Sequence, residues 1–180
     1  MAHLYFQVEV LERFCRDAFR KFGFSEEESR IITDVLLMSD QYGIESHGMQ
    51  RLTRYHKGIE SGMIKVDAVP EVVFETPVSA GNEGHDGMGQ LIGHKAMETA
   101  IEKAKKTGMA IVTVRNSNHY GIAGYYAKMA CDRGLIGMSF TNSEAIMVPT
   151  NAKQAMLGSN PIAIAVPAEP YPFFFDASTT

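Results

Sequence analysis

Two histidines stand among neighbours that could make them chemically active. Ser46-His47-Gly48 is followed by Arg51, four residues after the first histidine. If a helix begins here, His47 and Arg51 project from one face. A titratable imidazole beside a guanidinium suits a substrate with a carboxylate next to a reacting carbonyl: the guanidinium grips the carboxylate in a fork, and the imidazole exchanges a proton with the carbonyl oxygen. Ser46 would orient the ring. The plainer reading makes Ser46 a helix N-cap and leaves His47 and Arg51 as solvated surface. The second histidine lies in Asn116-Ser117-Asn118-His119-Tyr120-Gly121, between an expected buried strand and a helix. Such strand-to-helix loops are where α/β proteins place ligands, and helix N-termini favour anionic groups. An Asn-rich turn with no further role is the alternative.

A third stretch, Gly84-His85-Asp86-Gly87-Met88-Gly89 running on to Gly93, invites a dinucleotide-fingerprint reading and fails its context: no convincing strand precedes it, the third glycine is one residue late, and no acidic residue ends a following strand at the expected distance. A turn leading into a helix is the better expectation. His47, His56, His85, His94 and His119 show no paired ligand spacing, so no metal site is expected. Neither a Gly-x-Ser-x-Gly elbow nor a Gly-Lys-Ser/Thr phosphate loop occurs. Thr141-Asn142-Ser143 and Gly158-Ser159-Asn160-Pro161, each polar beside an expected strand, and Asp176 mean little alone.

The elements that would position these residues can be read from apolar spacing. Leu11, Phe14, Cys15, Ala18, Phe19 and Phe22 follow helical periodicity up to a stop at Gly23. Ser25 with Glu28 forms a capping box opening a second amphipathic helix that runs to Gly43. A third helix is expected over about residues 48 to 61, and the three make a helical lobe over residues 8–64. Residues 65–180 read as α/β: a short edge strand at Val72-Val73-Phe74 between Pro70 and Pro77, a helix carrying Ala96 to Ala104, then strand 109–114, helix 121–132 and strand 135–141. Strands at 162–166 and 173–175 follow, with Asp176 in a loop beyond the last. The expected fold class is α/β, a helical lobe plus a mixed β-sheet with flanking helices.

With 180 residues, 45% of them hydrophobic and 21% charged, the chain can bury a real core. Seventeen basic against 21 acidic residues give a net charge of -4 without a run of like charge. That argues against nucleic acid or an anionic membrane as main partner. The two cysteines, Cys15 and Cys131, form no Cys-x-x-Cys motif and read as reduced thiols of a cytoplasmic protein. No apolar run approaches the roughly 20 residues that cross a bilayer. The opening seven residues partly resemble a protease-cleavage tag and carry no functional argument.

Taken in order, Gly43-Ile44-Glu45-Ser46-His47-Gly48 with Arg51, the segment 116–121, Thr141-Asn142-Ser143, Leu157 to Pro161, and Phe175-Asp176 resemble the malate/L-lactate dehydrogenase family. The resemblance implies hydride transfer between NADH or NADPH and a small 2-oxo acid, on a non-Rossmann fold, in a homodimer. It also implies roles. Ser46 and His47 match a proton-relaying pair and Arg51 the substrate-carboxylate arginine. His119 matches a histidine that is the proton acceptor in some members and sits with the cofactor loop in others. His119, Tyr120, Gly121, Ile122, Ala123 and Ser143 would line NAD or NADP, and Asp176, with Ala177 and Ser178 beside it, lies near nicotinamide and is sometimes the proton donor. Ser159 stands where Thr is more usual, and Asp176-Ala177-Ser178-Thr179-Thr180 departs from the family's common Asp-Met-Ala-Thr-Ser. Members run about twice as far, so the chain is expected to be the N-terminal half of such an enzyme. Within the family, ureidoglycolate dehydrogenase and 2,3-diketo-L-gulonate reductase are alternatives to malate or lactate chemistry. A non-catalytic domain associating through an open sheet edge is the alternative outside it.

Overall fold

Two helices open the computed structural model, which describes residues 5–179; the tag-like opening lies partly outside them, as does Thr180. Helix α1 (Val8–Lys21) ends as expected, with Phe22 as C-cap and Gly23 at φ +108°, a left-handed conformation that costs glycine least. Helix α2 (Glu26–Gln41) starts with the capping box: Ser25 Oγ accepts from the Glu28 N–H at 3.3 Å, and the Glu28 carboxylate accepts from the Ser25 N–H at 2.8 Å. Arg16 and Arg20 of α1 pair with Glu26 of α2. The two helices enclose a core of Cys15, Phe19, Phe24, Ile32 and Leu36, joined by Tyr55, Ile64 and Met88 from later elements. Burying each large apolar side chain here contributes about 1.5–3 kcal/mol.

The third helix is shorter than expected. Single 3₁₀ turns span Glu45–His47 and Met49–Arg51, and α3 proper is Leu52–Glu60. The break has a local cause. Asp40, near the end of α2, accepts the Met49 N–H at 2.8 Å, and a Cβ at position 48 would collide with its carboxylate. The chain is pinned to α2 at Gly48, and only beyond it can α-helical hydrogen bonding start. His47 and Arg51 therefore sit on successive 3₁₀ turns, not on one face of an α-helix.

Where one mixed sheet was expected, there are two three-stranded sheets. In the first, β1 (Glu71–Glu75) is antiparallel to β2 (Ser79–Glu83), which is parallel to β3 (Ile111–Arg115) across helix α4 (Gly89–Thr107). Strand β2 corrects the expectation that no strand precedes Gly84, while the turn leading into a helix is as read. Its Ser-Ala-Gly-Asn-Glu carries no β-branched signature: a Cβ at Gly81 would strike the Phe74 ring, and the buried Asn82 and Glu83 are polar. A strand thus does precede Gly84, but the start of α4 is closed off: a Cβ at Gly89 would lie 2.2 Å from the Asn118 carbonyl oxygen and 2.4 Å from that of His119.

The second sheet is wholly antiparallel: β4 (Gly137–Phe140), β5 (Ile162–Val166) and β6 (Phe173–Ala177), with helix α5 (Ala123–Cys131) packed on it. Asp176 lies inside β6, opposite Ala163, rather than in a loop after it. The sequence pattern stopped at Phe175 because β6 loses its aromatic run there, while backbone pairing continues two residues on. Contacts divide the chain into two compact units, one ending at Gly121 and one beginning at Ile122, whereas the sequence suggested a division after residue 64. The first sheet belongs with the helical unit because α4 packs on α2 as well as on β2 and β3. Among the described residues no helix is long and apolar enough to cross a membrane.

Candidate functional site

In the first unit the 3₁₀ turns and the loop after β3 bring the two sequence-flagged histidines together. Their rings stack with centroids 5.3 Å apart and planes 27° apart. His47 Nδ1 lies 2.9 Å from Ser46 Oγ, so the serine holds the ring as anticipated. Arg51 folds back, its Nε donating to the Ser46 carbonyl at 2.5 Å. That bond leaves the two terminal guanidinium nitrogens as the prongs for a carboxylate. His119 Nδ1 lies 2.8 Å from the hydroxyl of Tyr55, one turn into α3, and accepts the Gly121 N–H at 3.4 Å.

The charges of this cluster follow from burial and from its cations. Burial lowers the pKa of His47, and Arg51 and Arg54 lower it further. His119 falls to about 4, chiefly through burial and then through His47, Arg51 and Arg54. Burial pushes the Tyr55 phenol up to about 12. At neutral pH the arrangement is two neutral imidazoles and a neutral phenol beside guanidinium charge, a setting that favours an incoming anion.

The rest of the loop is occupied with structure. Asn116 donates to Glu83 Oε2 at 3.0 Å, and the Asn118 amide reaches the carbonyls of Met63, Asp86 and Gly87 at 2.7–3.1 Å. Those two asparagines fasten the end of β3 to the turn before α4, and His119 emerges from a rigid base. Tyr120 is half-buried beside it.

In the second unit Ile122, the N-cap of α5, and Ala123 are buried at the head of the helix, and Ile122 itself offers no side-chain cap. Asp176 Oδ2 accepts the Gly124 N–H at 2.7 Å; burial raises the Asp176 pKa, opposed by that hydrogen bond. Ser143 is tied to the neighbouring loop: its N–H donates to Asn160 Oδ1 at 3.1 Å, and its Oγ accepts the Ser159 N–H at 2.8 Å. Ser178 Oγ donates to the Ser159 carbonyl at 3.0 Å, and Ala177 is half-buried at the end of β6.

Sequence reasoning missed Tyr55 and Asp40. Tyr55 had a signal: it falls four residues after Arg51, as Arg51 falls four after His47. Asp40 had none, because its partner depends on how the chain folds back, and Asn160, flagged only within 158–161, showed no partner until the fold brought Ser143 to it.

The family model for malate/L-lactate dehydrogenase matches residues 6–180, and the chain belongs to that family. It is 52% identical over 160 residues to malate dehydrogenase of Pyrococcus abyssi, covering 89% of this chain and 44% of that protein. It is 42% identical over 163 residues to L-sulfolactate dehydrogenase of Methanocaldococcus jannaschii, covering 91% and 47%. The solved structure of malate dehydrogenase from Pyrococcus horikoshii OT3 superposes with a TM-score of 0.96 at 45% identity, covering 98% of this chain and 51% of that one. The chain spans about half the length of these relatives.

Proposed function

We propose that this chain contributes the substrate-side half of an NAD(P)-dependent 2-hydroxyacid dehydrogenase, and that the enzyme it serves reduces a small 2-oxo acid. The observation that carries the reading is the stacked His47–His119 pair beside Arg51: two neutral imidazoles and a guanidinium within one unit suit an anion with a reactive carbonyl. Relatives named for malate and sulfolactate act on hydroxyacids of this kind, and a 36% identical relative from Mannheimia succiniciproducens is named 2,3-diketo-L-gulonate reductase, which keeps a longer 2-oxo acid in view.

The second unit suits a nicotinamide cofactor by its donor set. In that unit the N-cap residue of α5, Ile122, offers no side-chain hydrogen bond, Asp176 takes the Gly124 N–H, and Ser143 and Ser178 are exposed polar residues that a nicotinamide cofactor's hydroxyl and phosphate groups would meet. His119 to Ala123, Ser143 and Asp176 to Ser178 would hold NAD or NADP, which supplies the hydride when bound. Arg51 orients the substrate by its carboxylate, and Ser46 orients His47. His47 or His119 gives the carbonyl oxygen its proton, and Asp176 is a further candidate donor. We place this chemistry on a non-Rossmann fold, in a cytoplasmic homodimer. Two separate small sheets and a helix α4 whose start is closed by backbone carbonyls favour the first of these.

The test is direct. The longest form of the chain is mixed with NADH or NADPH and with oxaloacetate, pyruvate, sulfopyruvate or diketogulonate, and absorbance at the nicotinamide band is followed. Loss of absorbance with one pair names cofactor and substrate together. Cofactor binding with no turnover of any 2-oxo acid would overturn the reaction assigned here, and no binding at all would favour a non-catalytic, associating domain.

A further inference from the structure

Two donors meet on one nitrogen of His119. The Tyr55 hydroxyl lies 2.8 Å from Nδ1, and the Gly121 N–H reaches the same atom at 3.4 Å. A backbone N–H can only donate, so Nδ1 is an acceptor and the proton of the neutral ring sits on Nε2. The phenol must then donate to Nδ1 as well, because that nitrogen has no hydrogen to offer it. Behind the phenol stands Gln90 in the first turn of α4, fully buried, with neither amide oxygen nor amide nitrogen completing a hydrogen bond of ordinary geometry. Its amide lies close enough to Tyr55 to pull the phenol's pKa down a little against the upward push of burial. The directions along the row agree: the Tyr55 hydrogen points toward Nδ1, and the ring proton points out at Nε2.

The geometry points to Tyr55, backed by Gln90, as a positioning residue that locks His119 in its Nε2–H tautomer, so that a neutral imidazole offers a hydrogen bond to the carbonyl oxygen of a 2-oxo acid. The inference rests on the placement of His119 at the substrate carbonyl proposed above. It divides the labour between the histidines. An imidazolium at His119 would set an Nδ1–H against both donors, so His119 polarises the carbonyl as a neutral donor, and supply of the proton falls to the Ser46–His47 pair.

The tautomer can be read without any turnover. Histidine-selective ¹⁵N labelling of the chain, with the His119 signals assigned by their absence in His119→Gln, reports which ring nitrogen carries the proton. The native ring is expected as Nε2–H throughout pH 5 to 8. Tyr55→Phe is expected to move a measurable fraction of the ring to Nδ1–H with the backbone amide spectrum otherwise preserved. Gln90→Leu, which leaves the phenol in place, is expected to do so to a smaller extent and provides the same readout if Tyr55→Phe fails to fold. A native ring protonated on Nδ1, or a tautomer unchanged in both variants, overturns the lock. Because the measurement needs neither cofactor nor substrate, failure of the chain to reduce any 2-oxo acid would remove the proposed reaction and leave the tautomer result standing.

Discussion

The histidine cluster of the first unit and the serine–aspartate cluster of the second are both polar with half-buried titratable groups, yet burial acts on those groups with opposite sign. His47 and His119 are held neutral by being easier to deprotonate, because burial and nearby guanidinium groups oppose a second positive charge. Asp176 is held toward neutrality by being harder to deprotonate, because burial opposes its negative charge and one backbone N–H only partly offsets that. The first cluster is a set of titratable groups beside the guanidinium groups of Arg51 and Arg54. In the second, hydroxyls and an amide are spent on one another and on backbone, which fixes a loop shape. A site that must respond to an anion and a site that must hold a shape are built from similar residues with different bonding.

The largest consequence is for acid stability. His119 has a folded-state pKa of about 4 against an ordinary 6.5, so its neutral form stabilises the fold fully above pH 6.5, and that contribution disappears as pH falls toward 4. The shift corresponds to about 3 kcal/mol. Denaturant unfolding at pH 7 and pH 4 should show a native loss of that order that His119→Gln lacks. An equal pH dependence in the variant would show that another group carries the acid sensitivity and that the contrast between the two clusters is misdrawn.

Turnover separates the clusters next. In the longest form of the enzyme, His47→Gln and His119→Gln should each lower kcat about 10²-fold or more if each hydrogen reaches the substrate oxygen in the transition state. Ser143→Ala should alter mainly the apparent affinity for NADH or NADPH. A kcat loss for Ser143→Ala equal to those of the histidine variants would erase the distinction. Arg51→Leu, with one charge-assisted fork lost, should raise KM for a 2-oxo acid by about tenfold to a hundredfold. An unchanged KM would detach Arg51 from the carboxylate.

How much of this was legible in the sequence depends on whether the information was local. The capping box at Ser25 and Glu28 and the stop at Gly23 were readable because their partners lie within four residues. Strand β5 was readable in full from its apolar run, and the pairing of Ser46 with His47 from adjacency. The meeting of His47 with His119 was not, since spacing within 46–51 says nothing of a loop some 70 positions further along the chain. Spacing also placed His47 and Arg51 on one helix, where the Asp40 bond to the Met49 N–H substituted two 3₁₀ turns. Strand β2 was hidden because only glycine fits under Phe74 at position 81, and Ser, Ala, Gly, Asn and Glu in sequence look like a turn. Asn116 and Asn118 looked like part of the chemistry and turned out to fasten the loop.

The smallest effect is the sharpest probe of the comparison. A raised folded-state pKa means that Asp176 contributes stability fully below its ordinary 3.8 and loses it as pH climbs through the raised value, the reverse of His119. Asn at this position keeps an oxygen for the Gly124 N–H and never ionises. Against it stands the head of α5, where a negative charge is favoured by about 0.3–1 kcal/mol. If burial outweighs that dipole, Asp176→Asn at pH 7 matches or slightly exceeds native stability, and the two proteins converge as pH falls below 4 and the native carboxyl takes up its proton. If the variant is instead less stable at pH 7 by more than about 1 kcal/mol, the carboxylate is an electrostatic cap of α5, and charge rather than shape governs the second cluster. A variant that keeps its stability and loses turnover about 10²-fold would give Asp176 a proton-donating part, and the two clusters would then share the chemistry.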